Sequence, residues 1–240
     1  MNPFYETFYD PSGSTQSDGV TYYFAGKDGV DFLKINNDPR IGKFYKPYSD
    51  GKWDGNYFGT PGEFLTVQSE TSQLGYEEGD EGAMIGTPTK SSPILTDFES
   101  LFIQAEAAER GYIAGNAKAL YESALTQAFV YVGLSSSLAS QFYSQELGTV
   151  NYDLATNKLE LILNQKWMSL NGVAPVEIWT DYRRSGFPNF LVFSTNPQRE
   201  NDTPPIRLLY PQREIDTNND NLIEVGSIDL FSSKIFWQNR

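Results

Sequence analysis

From Thr96 to Gly186 apolar residues return every three or four positions, while before and after that span they do not, and the contrast divides the chain. Thr96 with Glu99 reads as a capping box, and Phe98, Leu101, Phe102, Ala105 and Ala108 then share one helical face as far as Gly111. Asn116 can cap a second helix whose buried side is Leu120, Tyr121, Ala124, Leu125, Ala128, Phe129 and Val132, ending at Gly133. The short link between them predicts an antiparallel hairpin, and the small Ala positions allow close approach. A third helix is expected from Ser135 to Leu147, ended by Gly148. A fourth is expected from Leu159 to Asn171, ended by Gly172. Pro175 opens a fifth, which carries Ile178, Trp179 and Tyr182 and closes on Arg183, Arg184 and Gly186. Glu177 and Asp181, beside those arginines, read as ion-pair partners that serve packing.

The first sixty residues follow another rule. Fourteen of them are Phe, Tyr or Trp, against 15% aromatic residues overall, and Gly and Asp punctuate them throughout. Tyr48, Trp53 and Tyr57-Phe58 fall beside turn formers such as Asp50-Gly51 and Asp54-Gly55, which predicts short strands and irregular loops with no long helix. Most of these rings are expected to serve as core for a helix-poor segment. Trp53 and Tyr57, whose neighbours are all polar or Gly, are the candidates for exposed stacking platforms, with Tyr48 beside them. A sugar presents a C–H face to such rings and hydroxyls to Asp, Asn and Gln, and Asp54 and Asn56 lie in the same ten residues as Trp53 and Tyr57. Asn37-Asp38-Pro39-Arg40 is a turn followed by an arginine, for which a buried or interface ion pair is preferred over a ligand role. Pro61 to Pro93 reads as a long, partly mobile loop whose acidic run at Glu77 to Glu81 is a solvated face.

After Pro188 periodicity fades. Asn189 to Pro205 is read as a polar loop anchored by Phe190, Val192 and Phe193, and Arg207 to Pro211 as extended. Ile235, Phe236 and Trp237 are expected to dock at the end of the tail. Asp216, Asn218, Asp220, the Leu222 carbonyl and Glu224 alternate in a way that could wrap oxygen around calcium. However, Asn221 stands where such a loop needs Gly and Ser227 where it needs an acid, so an Asn-rich turn is preferred and no cofactor is assigned.

Composition narrows the chemistry. The chain has no Cys and no His, which removes thiolate, Ser-His-Asp and Cys-His catalysis and the common zinc sets. Carboxylate pairs survive as acid-base candidates, yet no acidic motif stands out. A net charge of −13 disfavours nucleic acid and anionic lipid as partners and leaves neutral ligands open. No run is long and apolar enough to cross a bilayer, and Met1 leads into no basic and apolar leader.

The stretch NQKWMSLNGVAPVEIWTDYRRSGFP, from Asn164 to Pro188, resembles the SusD/RagB-like family of outer-membrane glycan-capture lipoproteins. FESLFIQAEAAERG from Phe98, RLLYPQRE from Arg207 and NDPR from Asn37 are similar to further segments of that family, in the expected order. The resemblance implies a mainly α fold, with tetratricopeptide-like helical hairpins and an irregular aromatic-rich lobe with short strands. The expected organisation is a ligand-facing lobe over 1–93, a helical core over 94–188 and an extended segment over 189–240. It also implies that the chain corresponds to about the C-terminal half of a family member, with the export signal, lipidated Cys and N-terminal helical half outside it. The implied function is non-enzymatic capture of an oligosaccharide at the outer-membrane surface and its delivery to a SusC-like TonB-dependent transporter, with membrane contact only through the lipid anchor. A carboxylate-dependent glycoside hydrolase and a scaffold that binds only a membrane partner are the competing readings.

Overall fold

A computed structural model of the chain describes residues 1–15, 22–65 and 67–235. The fold is mainly helical: among the described residues the strands β1 (Tyr45–Lys46) and β2 (Gln73–Leu74) form one short antiparallel pair with Tyr45 opposite Leu74. Short helices α1 (Pro3–Glu6), α2 (Lys27–Ile35) and α3 (Ile41–Phe44) precede and border that pair. The longer helices follow as α4 (Asp97–Glu109), α5 (Ala117–Tyr131), α6 (Ser136–Tyr143), α7 (Lys158–Ser169) and α8 (Pro175–Ser185). The tail adds α9 (Gln212–Thr217) and α10 (Asn219–Val225).

Capping residues set the helix starts, three of them read from the sequence and Asn157 added by the structure. Thr96, Asn116, Ser135 and Asn157 each accept, through a side-chain oxygen, the backbone N–H of the residue three positions on. Pro175 occupies the first turn of α8, and Gly186 closes it at φ 79°, a conformation costly for any residue with a Cβ. The helical core is one cluster in which Phe102 and Ala105 of α4 meet Tyr121, Ala124, Leu125 and Phe129 of α5, with Phe142 of α6 and Ile162 of α7 completing it. The Tyr121 hydroxyl, fully buried, donates to the Val150 carbonyl at 2.6 Å.

Several expectations are corrected. The first sixty residues contain a nine-residue helix, α2, which Gly29 helped to conceal. A Cβ at Gly29 would lie 2.9 Å from the Tyr45 hydroxyl, so a tertiary contact selects the glycine and not a turn. Helix α6 ends at Tyr143, short of Leu147, because Gln145 leaves the helical path to donate to the carbonyls of Phe142 at 3.0 Å and Asn36 at 3.1 Å. The Asn-rich tail forms two helices where a turn was expected. Asp181 does pair, with Lys166 at 2.6 Å and Arg184 at 2.8 Å, whereas Glu177 makes no ion pair among the described residues. Its place is taken by Glu106 of α4, which receives both arms of Arg184 at 2.6 and 2.7 Å. Phe236 and Trp237 lie outside the described residues.

Arg40 joins the aromatic region to the helices. It is wholly buried, and its Nε and Nη2 fork onto Asp38 at 3.0 and 2.6 Å. Its remaining donors reach Ser169 at 2.8 Å and Gln165 at 3.2 Å, both on α7, and its guanidinium lies 4.9 Å from the Phe129 ring centre and 5.6 Å from that of Phe142. Removing one member of such a pair strands the other away from water. Arg40→Met is expected to cost about 3–5 kcal/mol in denaturant unfolding, and adding Asp38→Asn should recover part of that loss. Equal stability of Arg40→Met and the parent would contradict this.

Candidate functional site

The sequence-predicted ligand residues hang on one backbone knot. The Asn56 N–H donates to the Ala25 carbonyl at 3.1 Å, the Lys27 N–H to the Asn56 carbonyl at 3.0 Å, and the Ser72 N–H to the Asp54 carbonyl at 2.9 Å. Segment 54–56 is thereby laced between 25–27 and 72. Gly55 is required there, since a Cβ would come within 2.5 Å of the Ala25 carbonyl oxygen. Asp54 is engaged by the Lys27 ammonium at 2.7 Å and by the Gly55 N–H at 2.8 Å. Asn56 is half-buried, with its amide 3.5 Å from the Thr71 hydroxyl.

Trp53 and Tyr57 leave this knot toward two different hollows, both bordered by α2. The first, of about 480 Å³, is walled by Tyr48, Trp53, Leu33, Pro39 and Ile41, with Lys34, Asn37, Asp38 and Lys52 as its polar groups. A tight turn builds it: the Tyr48 N–H donates to the Lys52 carbonyl at 3.1 Å, and Gly51 takes φ 63°. Trp53 is only partly available, because it packs on the cluster of Val30, Leu33 and Phe44, and its indole N–H is buried without a partner among the described residues. The second hollow, of about 350 Å³, is walled by Tyr57, Phe32, Phe190 and Val192 and carries Asp28, Asp31, Glu160, Asn36 and Asn164. Phe190 was expected only as a core anchor. It is 38% exposed, stacks on Phe32 at 5.5 Å and meets the edge of Trp167 at 5.6 Å. Its distance in sequence from Tyr57 hid the association.

The five candidates are therefore divided: Tyr48 with Trp53, Tyr57 with rings the sequence did not associate with it, and Asp54 and Asn56 in the backbone knot, lining neither hollow. The calcium candidates are not brought into a loop. Asp216 accepts from Gln212 one turn back on α9 at 2.8 Å, and Asn218 donates to Glu214 at 2.5 Å, while Asp220 and Glu224 ride on α10. Side chains spent on their own helix, or carried on the next, do not form a cage. Among the described residues no group of three or more His, Cys, Asp or Glu could hold a metal ion.

A SusD-like family, described as starch-binding and associating with the outer membrane, matches residues 2–211, and the chain belongs to it. Among solved structures, a SusD homologue from Bacteroides fragilis superposes with a TM-score of 0.70 at 20% identity, covering 100% of this chain and 58% of its own. A second B. fragilis homologue gives 0.65 at 23% identity, covering 93% and 54%. A chitin-binding protein gives 0.65 at 22% identity, covering 90% and 50%. The chain thus spans about half the length of these relatives. No curated protein sequence matches it. No helix among the described residues is long and apolar enough to cross a membrane.

The two acids nearest the knot titrate in opposite directions. Burial, and then the neighbouring Asp31, pushes the Asp28 carboxyl up. Burial also acts to raise Asp54, but the Lys27 ammonium and the Gly55 N–H outweigh it and hold that carboxyl low. Asp28 binds its proton more tightly folded than unfolded, so its contribution to stability is lost as pH rises through its folded pKa. That of Asp54 is lost as pH falls through its own. Carboxyl-carbon NMR should find Asp28 titrating above the ordinary aspartate range and Asp54 below it; the reverse order would contradict the electrostatics described.

Proposed function

We propose that this chain captures an oligosaccharide at the outer-membrane surface, holding it on the rings of the two hollows beside α2, and passes it intact to a TonB-dependent transporter. The observation that carries the reading is the make-up of those hollows. Each offers aromatic faces beside a few polar groups, the combination that takes both the C–H face and the hydroxyls of a sugar. Membership of a starch-binding, outer-membrane-associating family and the fold shared with a chitin-binding protein support it. Tyr48 and Tyr57 are the stacking residues of this reading, with Trp53 as the inner wall of its hollow. Asp54 and Asn56, on the segment that joins Trp53 to Tyr57, are the polar groups of this reading. Capture and release break no bond.

Each exposed ring contributes modestly, about 1 kcal/mol beyond burial, so affinity comes from several acting together. With a ligand identified on a glycan array, Tyr48→Ala and Tyr57→Ala should each weaken binding at least roughly fivefold by calorimetry. Incubation with the same glycan should release no new reducing ends. Unchanged affinity in both variants would remove the two hollows as the site, and new reducing ends would turn the reading toward a hydrolase. Pull-down of a TonB-dependent transporter by the chain tests the delivery step, and its failure would leave capture without a demonstrated recipient.

A further inference from the structure

The Tyr57 hollow has a one-sided electrostatic lining. Asp28 and Asp31 stand three apart on α2, Glu160 and Asn164 four apart on α7, and Asn36 caps the end of α2, so acceptors line the hollow from two helices. Much of that acceptor capacity is unused. Asn36, only 1% exposed, gives its amide N–H to the Phe32 carbonyl at 2.9 Å and leaves its Oδ1 without a partner, and the Oδ1 of Asn164 is likewise buried and unpartnered. Asp28 accepts the Val192 N–H at 3.1 Å and Glu160 the Asn189 amide at 3.4 Å. Neither carboxylate meets a cation within ion-pair distance among the described residues. The nearby ammonium, Lys27, is committed to Asp54 at 2.7 Å and reaches Asp31 at 3.5 Å.

Unpaired carboxylates and orphaned carbonyl oxygens in a half-enclosed site call for a donor-rich, positively charged occupant. A metal ion does not fit, since the acids are spread around the hollow and do not converge on one point. An organic cation does fit: the faces of Tyr57, Phe32 and Phe190 can take a ring, and acids around it can take an ammonium carried on that ring. We infer that the Tyr57 hollow selects an amino sugar whose nitrogen is unacetylated and charged, a glucosamine-type unit of an oligosaccharide. This rests on the glycan-capture reading above and adds the charge of the sugar to it. An ammonium there would supply three donors and a positive charge that offsets the desolvation and like-charge repulsion acting on Asp28. The chain's net charge of −13 would also draw such a ligand in.

Three oligosaccharides of equal length and β-1,4 linkage separate the possibilities, built respectively from glucosamine, N-acetylglucosamine and glucose. Calorimetry on the chain at mildly acidic pH, where the amine is protonated, should find the glucosamine oligomer bound at least about tenfold tighter than the glucose oligomer, with the advantage shrinking as salt is added. In Asp28→Asn with Glu160→Gln the ratio of those two affinities should fall severalfold; both amides keep an oxygen for the Val192 and Asn189 donors, and an unchanged melting temperature checks the fold. Equal or tighter binding of either neutral oligomer overturns the charge selection and leaves glycan capture standing. An unchanged ratio in the double variant overturns the assignment to this hollow. If none of the three binds, the selection is overturned as well, and the glycan array decides the capture reading independently.

Discussion

An arginine sealed from water fixes the geometry on which both hollows depend. Taking a guanidinium and a carboxylate out of solvent costs several kcal/mol each, and the Asp38–Arg40 fork offsets this only because Ser169 and Gln165 take the remaining donors. Such an arrangement tolerates little displacement, so it locks the turn after α2 onto α7. That turn belongs to both sites at once. Asn36 lines the hollow beside Tyr57, while Asn37 and Asp38 line the one beside Tyr48 and Trp53. The chief contribution of the pair is then position, with net stability secondary.

Around that anchor the rest of the aromatic region is held by buried side chains such as Phe8, Phe32, Phe44 and Tyr45 and, at its loops, by backbone. Segment 54–56 is laced to 25–27 and 72, and Gly75 packs where a Cβ would sit 2.1 Å from the Lys43 carbonyl oxygen. Backbone-to-backbone contact of this kind leaves side chains free to face outward. Aromatic rings can then stand exposed without the region losing its shape, which is what a surface built to stack a ligand requires. In the helical core Phe102, Tyr121, Leu125 and Phe129 bury their side chains completely and hold the platform rigid.

What could be read from the sequence was what local chemistry decides. Thr96, Asn116 and Ser135 mark the starts of helices by a side chain that satisfies an orphan N–H within one turn, and Gly186 marks an end by its φ. The ion pairing of Arg40 was legible too, because a turn motif carrying an acid two residues before an arginine favours a pair. Features set by distant residues were not. Gly29 sits in a helix because Tyr45 leaves no room for a Cβ, and Asn218 serves two helix ends where the spacing of acids suggested a loop. For the candidate site, composition pointed to ten residues but could not tell on which side of α2 each ring falls. Nor could it join Tyr57 to Phe190 and Glu160, which only the packing of α2 against α7 and the segment after α8 brings to it.

The central claim is that Arg40 holds the aromatic region in register on the helical core. Native-state hydrogen exchange on Arg40→Met and the parent tests it directly. The account predicts that the amides of Ala25, Asn56 and Ser72 lose most of their protection in the variant while those within α4 and α5 keep theirs. Protection retained at those three amides, or lost evenly across the helices as well, would contradict it.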